Sequence, residues 1–250
     1  MANNHGRMVW YELLTNDPKA AIAFYTEVMG WKTQPFDHEY TMFVTSQGAT
    51  GGVGVLPEQA KQMGAPPYWQ GNFIVDNVDA TIAKVKELGG KVLHVETVPS
   101  VGRLAVIADP QGAVIAIITP ANEMAAHDTS KAGEFQWHEL YTTDNEAAFN
   151  FYSAIAGWQK IDTYDMGPMG KYILWGRGGK TLGGMMTMKE VPPGWLYYVT
   201  TPDLEGTLAR ATAKGAKVFN GPMDVPGGQR IVQLIDPQGA RFALVTPPKA

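Results

Sequence analysis

Two segments of the chain are nearly copies of one another. Trp10–Trp31 (WYELLTNDPKAAIAFYTEVMGW) and Trp137–Trp158 (WHELYTTDNEAAFNFYSAIAGW) align without a gap. They share Trp, Glu, Leu, Thr, Asp, Ala-Ala, Phe-Tyr and a closing Gly-Trp. The correspondence resumes at APPYW (65–69) against VPPGW (191–195) and at TIAKVKELGGKV (81–92) against TLARATAKGAKV (207–218). It ends with DPQGA at 109–113 and at 236–240. A duplication on this scale calls for two similar halves of about 120 residues each. The sequence places them at 1–120 and 135–250. Between them lies a small, polar linker at 121–134 (ANEMAAHDTSKAGE).

Each half contains a weaker repeat of its own. WYELL reads as a short strand. Asp17-Pro18 is a helix start, with Asp as the cap and Pro at the first helical position, and Gly30 ends that helix. YTMFVTS and GGVGVLP read as further strands. NFIV is then a strand, Asp79–Leu88 a helix stopped by Gly89-Gly90, LAVIAD a strand, Pro110-Gln111 a turn and AVIAIIT a last strand. The second half follows the same order. The expectation is an α+β protein of four strand–helix–strands modules.

Composition narrows the partners. The net charge is −4, with no basic run, so nucleic acid is not expected. No cysteine is present, which excludes disulfides, thiolate metal sites and a cysteine nucleophile. The N-terminal residues have no apolar signal core, and no run reaches ~18 apolar residues. The expectation is a cytoplasmic protein with no membrane partner. With both halves on one chain, a monomer is compatible with the sequence.

The motifs D-P-x-x-A-x-x-F-Y…G-W after a first strand and D-P-Q-G-A before a last strand resemble those of the vicinal oxygen chelate superfamily. That superfamily includes glyoxalase I, bleomycin-resistance proteins and extradiol dioxygenases. The likeness spans nearly the whole chain, departing at Asn145, which replaces the helix-start Pro in the second half. It implies four βαβββ modules in two tandem glyoxalase-like halves, with curved mixed sheets around a cavity.

The resemblance also implies where a divalent metal would sit. The superfamily's metal enzymes keep a His on a module's first strand, seven residues before the helix-opening Asp, and a Glu on its last strand. Carried over singly, the first positions hold Trp10 and Trp137, and, in the internal modules, Gln70 and Leu196. The last-strand positions hold Ala116 and Ala243. No good ligand set results. The strands GGVGVLP and GGMMTM offer no His, Asp or Glu. His5, His38, His94, His127 and His138 show no matched pairing between halves, and His138 faces away from Trp137 by strand alternation. The reading therefore expects no metal and no cofactor.

Alternation places Glu12 beside Trp10, and Glu139 beside Trp137, on the inward face. Gln70 and Asn72 in the first half and Tyr198 in the second join them. A regular last hairpin would pair Ala105 with Ala116 and Arg103 with Ile118. It would thereby bring Arg103, and by the same count Arg230, to the same face, as partners for Glu12 and Glu139. Two readings stand for each Glu–Arg pair: a structural ion pair, or a ligand site. In the second, Trp stacks on a flat molecule, Arg takes an anion or carbonyl, and Glu accepts a proton or hydrogen bond. Trp31 and Trp158 read as core, as do Trp69 and Trp195. Met166, Met169, Met185, Met186 and Met188 read as core filler or as a pliable wall. The Gly-Gly pairs and GRGGK (176–180) lack the context of a phosphate loop.

Three functions compete. The first is a metal-free small-molecule binding protein with a Trp/Glu/Arg cavity. The second is an enzyme (lyase, isomerase or hydroxylase-like) using Glu12 or Glu139 as general base. The third is a glyoxalase- or dioxygenase-type metal enzyme with unusual ligands.

Overall fold

The computed structural model describes residues 4–37, 39–62 and 64–248. His38 lies outside the described residues. The first module contains β1 (Met8–Thr15), α1 (Pro18–Met29), β2 (Lys32–Pro35), β3 (Thr41–Thr45), β4 (Gly48–Val55) and the short α2 (Glu58–Gln62). The second contains β5 (Tyr68–Ile74), α3 (Val78–Glu87), β6 (Lys91–Val98), β7 (Gly102–Ala108) and β8 (Val114–Pro120). The third contains β9 (Phe135–Thr142), α4 (Asn145–Ala156), β10 (Gln159–Asp165), β11 (Lys171–Arg177) and β12 (Lys180–Thr187). The fourth contains β13 (Gly194–Thr200), α5 (Leu204–Ala213), β14 (Lys217–Asp224), β15 (Arg230–Ile235) and β16 (Arg241–Val245). Four βαβββ modules are thus present, in two mixed, curved eight-stranded sheets. Their strand orders are β2-β3-β4-β1-β5-β8-β7-β6 and β10-β11-β12-β9-β13-β16-β15-β14.

Local chemistry sets the helix ends. Asp17 Oδ1 accepts from Ala20 N at 3.0 Å, and Asp144 Oδ1 from Ala147 N at 3.0 Å. Asn77 and Asp203 cap α3 and α5 in the same way. Gly30 and Gly157 end α1 and α4 in the left-handed conformation, with φ of 71° and 68°, where a side chain would be strained.

By its contacts the chain forms two compact units, each drawn from both repeats. One holds the chain up to Val9, Gly71–Ala126 and Trp137–Leu196. The other holds Trp10–Gln70, His127–Gln136 and the chain from Tyr197 onward. In the second of these, Asp236 sits in the turn before β16, buried. Its Oδ1 accepts from Gln238 N and Ala240 N, and its Oδ2 from the Tyr25 hydroxyl at 3.0 Å. Trp69 Nε1 donates to that hydroxyl at 3.0 Å. The other unit repeats the arrangement with Asp109, Tyr152 and Trp195. Burial raises both aspartates above the ordinary range, against the opposing pull of these hydrogen bonds.

The turn glutamines complete each unit. Gln238 Oε1 accepts from Thr15 Oγ1 at 2.8 Å and from Asp17 N at 2.9 Å, and Nε2 donates to Asp17 O. Gln111 makes the same contacts with Thr142, Thr143 and Asp144. The duplicated T-x-D, F-Y, Pro-x-Trp and D-P-Q-G residues therefore form one polar network per unit. Around it pack aromatic cores. Trp158 stacks on Trp175 at 3.8 Å in one unit, and Tyr25 packs against Trp31, Phe43 and Phe242 in the other. Trp31, Trp69, Trp158 and Trp195 are buried, as expected. Of the methionines of the third module, Met185 and Met186 are core, whereas Met166 and Met169 are exposed on the turn before β11.

No described helix is long and apolar enough to cross a membrane.

Candidate functional site

The Trp and Glu of each first strand meet a tyrosine that strand patterning did not reveal. In the unit holding the first module, Glu12 pairs with Gly52 across β1 and β4. A Cβ on Gly52 would strike the Tyr40 ring, so the absent side chain lets Tyr40 lie across β4. Trp10 Nε1 donates to the Tyr40 hydroxyl at 2.8 Å, and that hydroxyl donates to Glu12.

The other unit carries the counterpart. Glu139 pairs with Gly184 across β9 and β12, and Tyr172 lies over Gly184. Trp137 Nε1 donates to Tyr172 Oη at 3.2 Å, which donates to Glu139 Oε1 at 2.8 Å. Glu139 Oε2 accepts from Tyr141 at 2.9 Å. Each site is thus an indole N–H, a phenol and a carboxylate in series.

The two copies differ in their second tyrosine. Tyr141 belongs to β9, where the first repeat has Leu14. In the first repeat Tyr68 of β5 approaches Glu12 instead, where the second repeat has Gly194. Burial, with the nearby Glu12 charge, pushes Tyr68 up to about 12. Burial likewise raises Tyr40 and Tyr172 well above the ordinary phenol, with Glu12 and Glu139 adding to the effect. All three phenols therefore keep their protons near neutrality, and Tyr40 and Tyr172 donate theirs to Glu12 and Glu139. Glu139 is buried, whereas Glu12 and Trp10 remain partly accessible.

The expected Glu–Arg pairs are corrected. DPQGA forms a five-residue connection in which Asp109 N bonds Ala113 O and Gly112 N bonds Asp109 O. Val106, not Ala105, therefore pairs with Ala116, and Arg103 pairs with Thr119 rather than Ile118. A one-residue change of register turns a side chain to the other face of the sheet. Arg103 accordingly meets Asp79 of α3 at 2.8 Å. In the fourth module Gln233 pairs with Ala243. Arg230 thus takes the opposite face and meets Glu205 of α5 at 2.6 Å and Asp224 at 3.5 Å.

The remaining expected residues fall as follows. Trp69 is held on the α1 side by Tyr25, so its neighbours Tyr68 and Gln70 face away from α1. Gln70 is 2% exposed and its Oε1 has no hydrogen-bond partner among the described residues. Asn72, also buried, pairs with Ala116, and its Nδ2 is likewise unpartnered. Tyr198 is buried beside Ala243, and its hydroxyl accepts from Gln233 Nε2 at 2.5 Å. His138 lies in the core, its Nδ1 2.7 Å from Leu182 O. Burial lowers it to about 4. His127 pairs with Glu134 at 2.8 Å.

This donor set does not fit a divalent cation. The indole N–H groups of Trp10 and Trp137 are hydrogen-bond donors committed to tyrosines. Ala116 and Ala243 carry no ligand atom. Among the described residues no three His, Asp or Glu side chains converge on a metal position.

Comparison with known proteins agrees with the module pattern. Residues 10–118 match the glyoxalase-like domain, and residues 134–244 match the Glyoxalase/Bleomycin resistance protein/Dioxygenase superfamily. The chain belongs to that superfamily, the vicinal oxygen chelate group, as a tandem two-domain member. It is 31% identical to "Putative glyoxylase CFP32" of Mycobacterium tuberculosis, over 95% of this chain and 94% of that protein. It is 30% identical to "Anthracycline biosynthesis protein DnrV" of Streptomyces peucetius, over 96% of this chain and 93% of that one. The Mn(II)-bound glyoxalase of Novosphingobium aromaticivorans shares the fold. Its TM-score is 0.69 at 15% identity, covering 98% of this chain and 83% of that one.

Proposed function

We propose that the protein is a small-molecule-binding member of its superfamily, working without a metal, with the Trp–Tyr–Glu series as its recognition element. The observation that carries this reading is the Trp10–Tyr40–Glu12 chain, with Trp10 at the position where the superfamily's metal enzymes keep a ligand. Trp and Tyr offer flat apolar surface. Glu accepts hydrogen bonds in an orientation fixed by its tyrosine. The name of the DnrV relative supports a flat polycyclic ligand class. With Arg103 and Arg230 on the helix faces, recognition rests on stacking and on carboxylate acceptance, not on a guanidinium. Isothermal titration against a panel of aromatic metabolites tests this. Binding lost in Glu12→Gln or Trp10→Ala, in variants that remain folded, supports it, and failure of the whole panel contradicts it.

A second reading, in which Glu12 is a general base, draws on the name of the CFP32 relative and on the accessibility of Glu12. Glu139 suits that role less, since both its oxygens already accept tyrosine protons. Mass analysis of recovered ligands separates the readings. Chemically altered ligand with wild type, but not with Glu12→Gln, favours the base.

A further inference from the structure

Strand β5 carries an acceptor that the protein leaves unanswered. Gln70 is 2% exposed, and its Oε1 has no donor among the described residues. Buried polar atoms in folded proteins nearly always have a partner, so an orphan asks for an explanation. Its side chain lies on the face that also bears Tyr68, because Trp69 between them is tied to Tyr25 on the α1 side. Glu12 acts on Tyr68 from close by. Tyr40, which receives the Trp10 N–H, gives its own proton to Glu12.

Around Tyr68 and Glu12 the chemistry of this face is therefore that of acceptors lined by aromatic rings; the unpartnered donor further along β5, Asn72 Nδ2, belongs to the other unit. Glu12 presents carboxylate oxygens, and Gln70 presents an amide oxygen. Arg103 and Arg230, the two cations that the sequence suggested for such a face, pair instead with Asp79 and with Glu205 and Asp224. The second repeat lacks the feature. Leu196 stands where the first repeat has Gln70, and the next inward residue, Tyr198, is satisfied by Gln233.

We infer that Gln70 Oε1 is a specificity-determining acceptor of the first repeat's site. Together with Glu12 it selects flat aromatic ligands that carry a hydroxyl or ammonium donor over anionic ones. This rests on the binding reading above and adds the class of ligand and the repeat that takes it. A donor on the ligand satisfies the orphaned oxygen, whereas a carboxylate there would face two acceptors, one of them charged.

The test compares three probes with one ring system, 2-naphthol, 2-naphthylmethylammonium and 2-naphthoate, by isothermal titration of the full-length protein. The two donor probes are expected to bind at least ~10-fold tighter than 2-naphthoate, the scale of one net hydrogen bond. Gln70→Leu, which copies the second repeat, should bring the three affinities to within about 2-fold of each other. At the same time its unfolding midpoint should rise, because leucine removes a buried unpaired acceptor. Gln70→Met is the second variant if leucine does not fit. Two results overturn the inference while leaving the binding reading standing. One is 2-naphthoate binding as tightly as 2-naphthol. The other is a donor preference that survives in both variants. A fall in unfolding midpoint in both variants also overturns it, since Gln70 would then be a structural residue. If none of the three probes binds, the inference and the binding reading fall together.

Discussion

Tyr172 rests on Gly184, and only a glycine at that point lets the phenol cross β12 to reach Glu139 at 2.8 Å. Gly184 is also the residue that pairs with Glu139 on the neighbouring strand. Gly184→Ala must therefore move the ring. The expected cost is about 1–3 kcal/mol of stability, as for other overpacked interior positions. Urea denaturation of the variant checks it. An unchanged denaturation midpoint would mean that the tyrosine can rest elsewhere at no cost.

Removing the hydroxyl alone separates packing from hydrogen bonding. Tyr172→Phe keeps the ring over Gly184 but takes the acceptor from Trp137 and one donor from Glu139. A loss of about 1–3 kcal/mol is expected, because buried polar groups are left short of a partner. Chemical denaturation of Tyr172→Phe, Glu139→Gln and the double variant should show non-additive losses, as for residues in one network. Strict additivity would contradict the coupling.

The turn glutamines should behave as structural clasps. Gln238→Ala deletes three hydrogen bonds to Thr15 and Asp17, at the start of α1. The expected loss is about 1–3 kcal/mol. Amide hydrogen exchange should show it first in α1. Gln111→Ala should do the same at α4, through Thr142, Thr143 and Asp144.

Acid sensitivity should trace in part to His138. Its folded value is lowered to about 4 from 6.5 by burial. Between those values the unfolded chain binds more protons, so stability rises with pH. The contribution is complete above about pH 6.5 and is lost as pH falls toward 4, amounting to about 3 kcal/mol for this buried group. His138→Gln should flatten that part of the stability profile measured by denaturant titration at stepped pH. A profile of unchanged slope would contradict the assignment.

Much of the fold is legible in the sequence, because the duplicated residues are the ones that hold it. Asp17 and Asp144 cap helices, Gly30 and Gly157 end them, and Asp109 and Asp236 bind Tyr152 and Tyr25. The site is legible only in part. Trp10, Glu12, Trp137 and Glu139 follow from alternation, which holds within a strand. Arg103 and Arg230 do not, because their face depends on the length of the D-P-Q-G-A turn, where one residue reverses the outcome. Tyr40 and Tyr172 belong to neighbouring segments, beyond the reach of a count along β1 or β9. A signal was nevertheless present. Each tyrosine precedes its glycine, Gly52 or Gly184, by the same interval, and a glycine inside a strand often marks a close approach.

The most direct test of the account is calorimetric titration of 2-naphthol into protein stripped of divalent metal by chelation, with metal content measured before and after. Binding that is unchanged by stripping, unchanged on adding Mn(II), and abolished by Glu12→Gln is the predicted result. Binding that disappears on stripping and returns with one equivalent of Mn(II) would contradict a metal-free Trp–Tyr–Glu site.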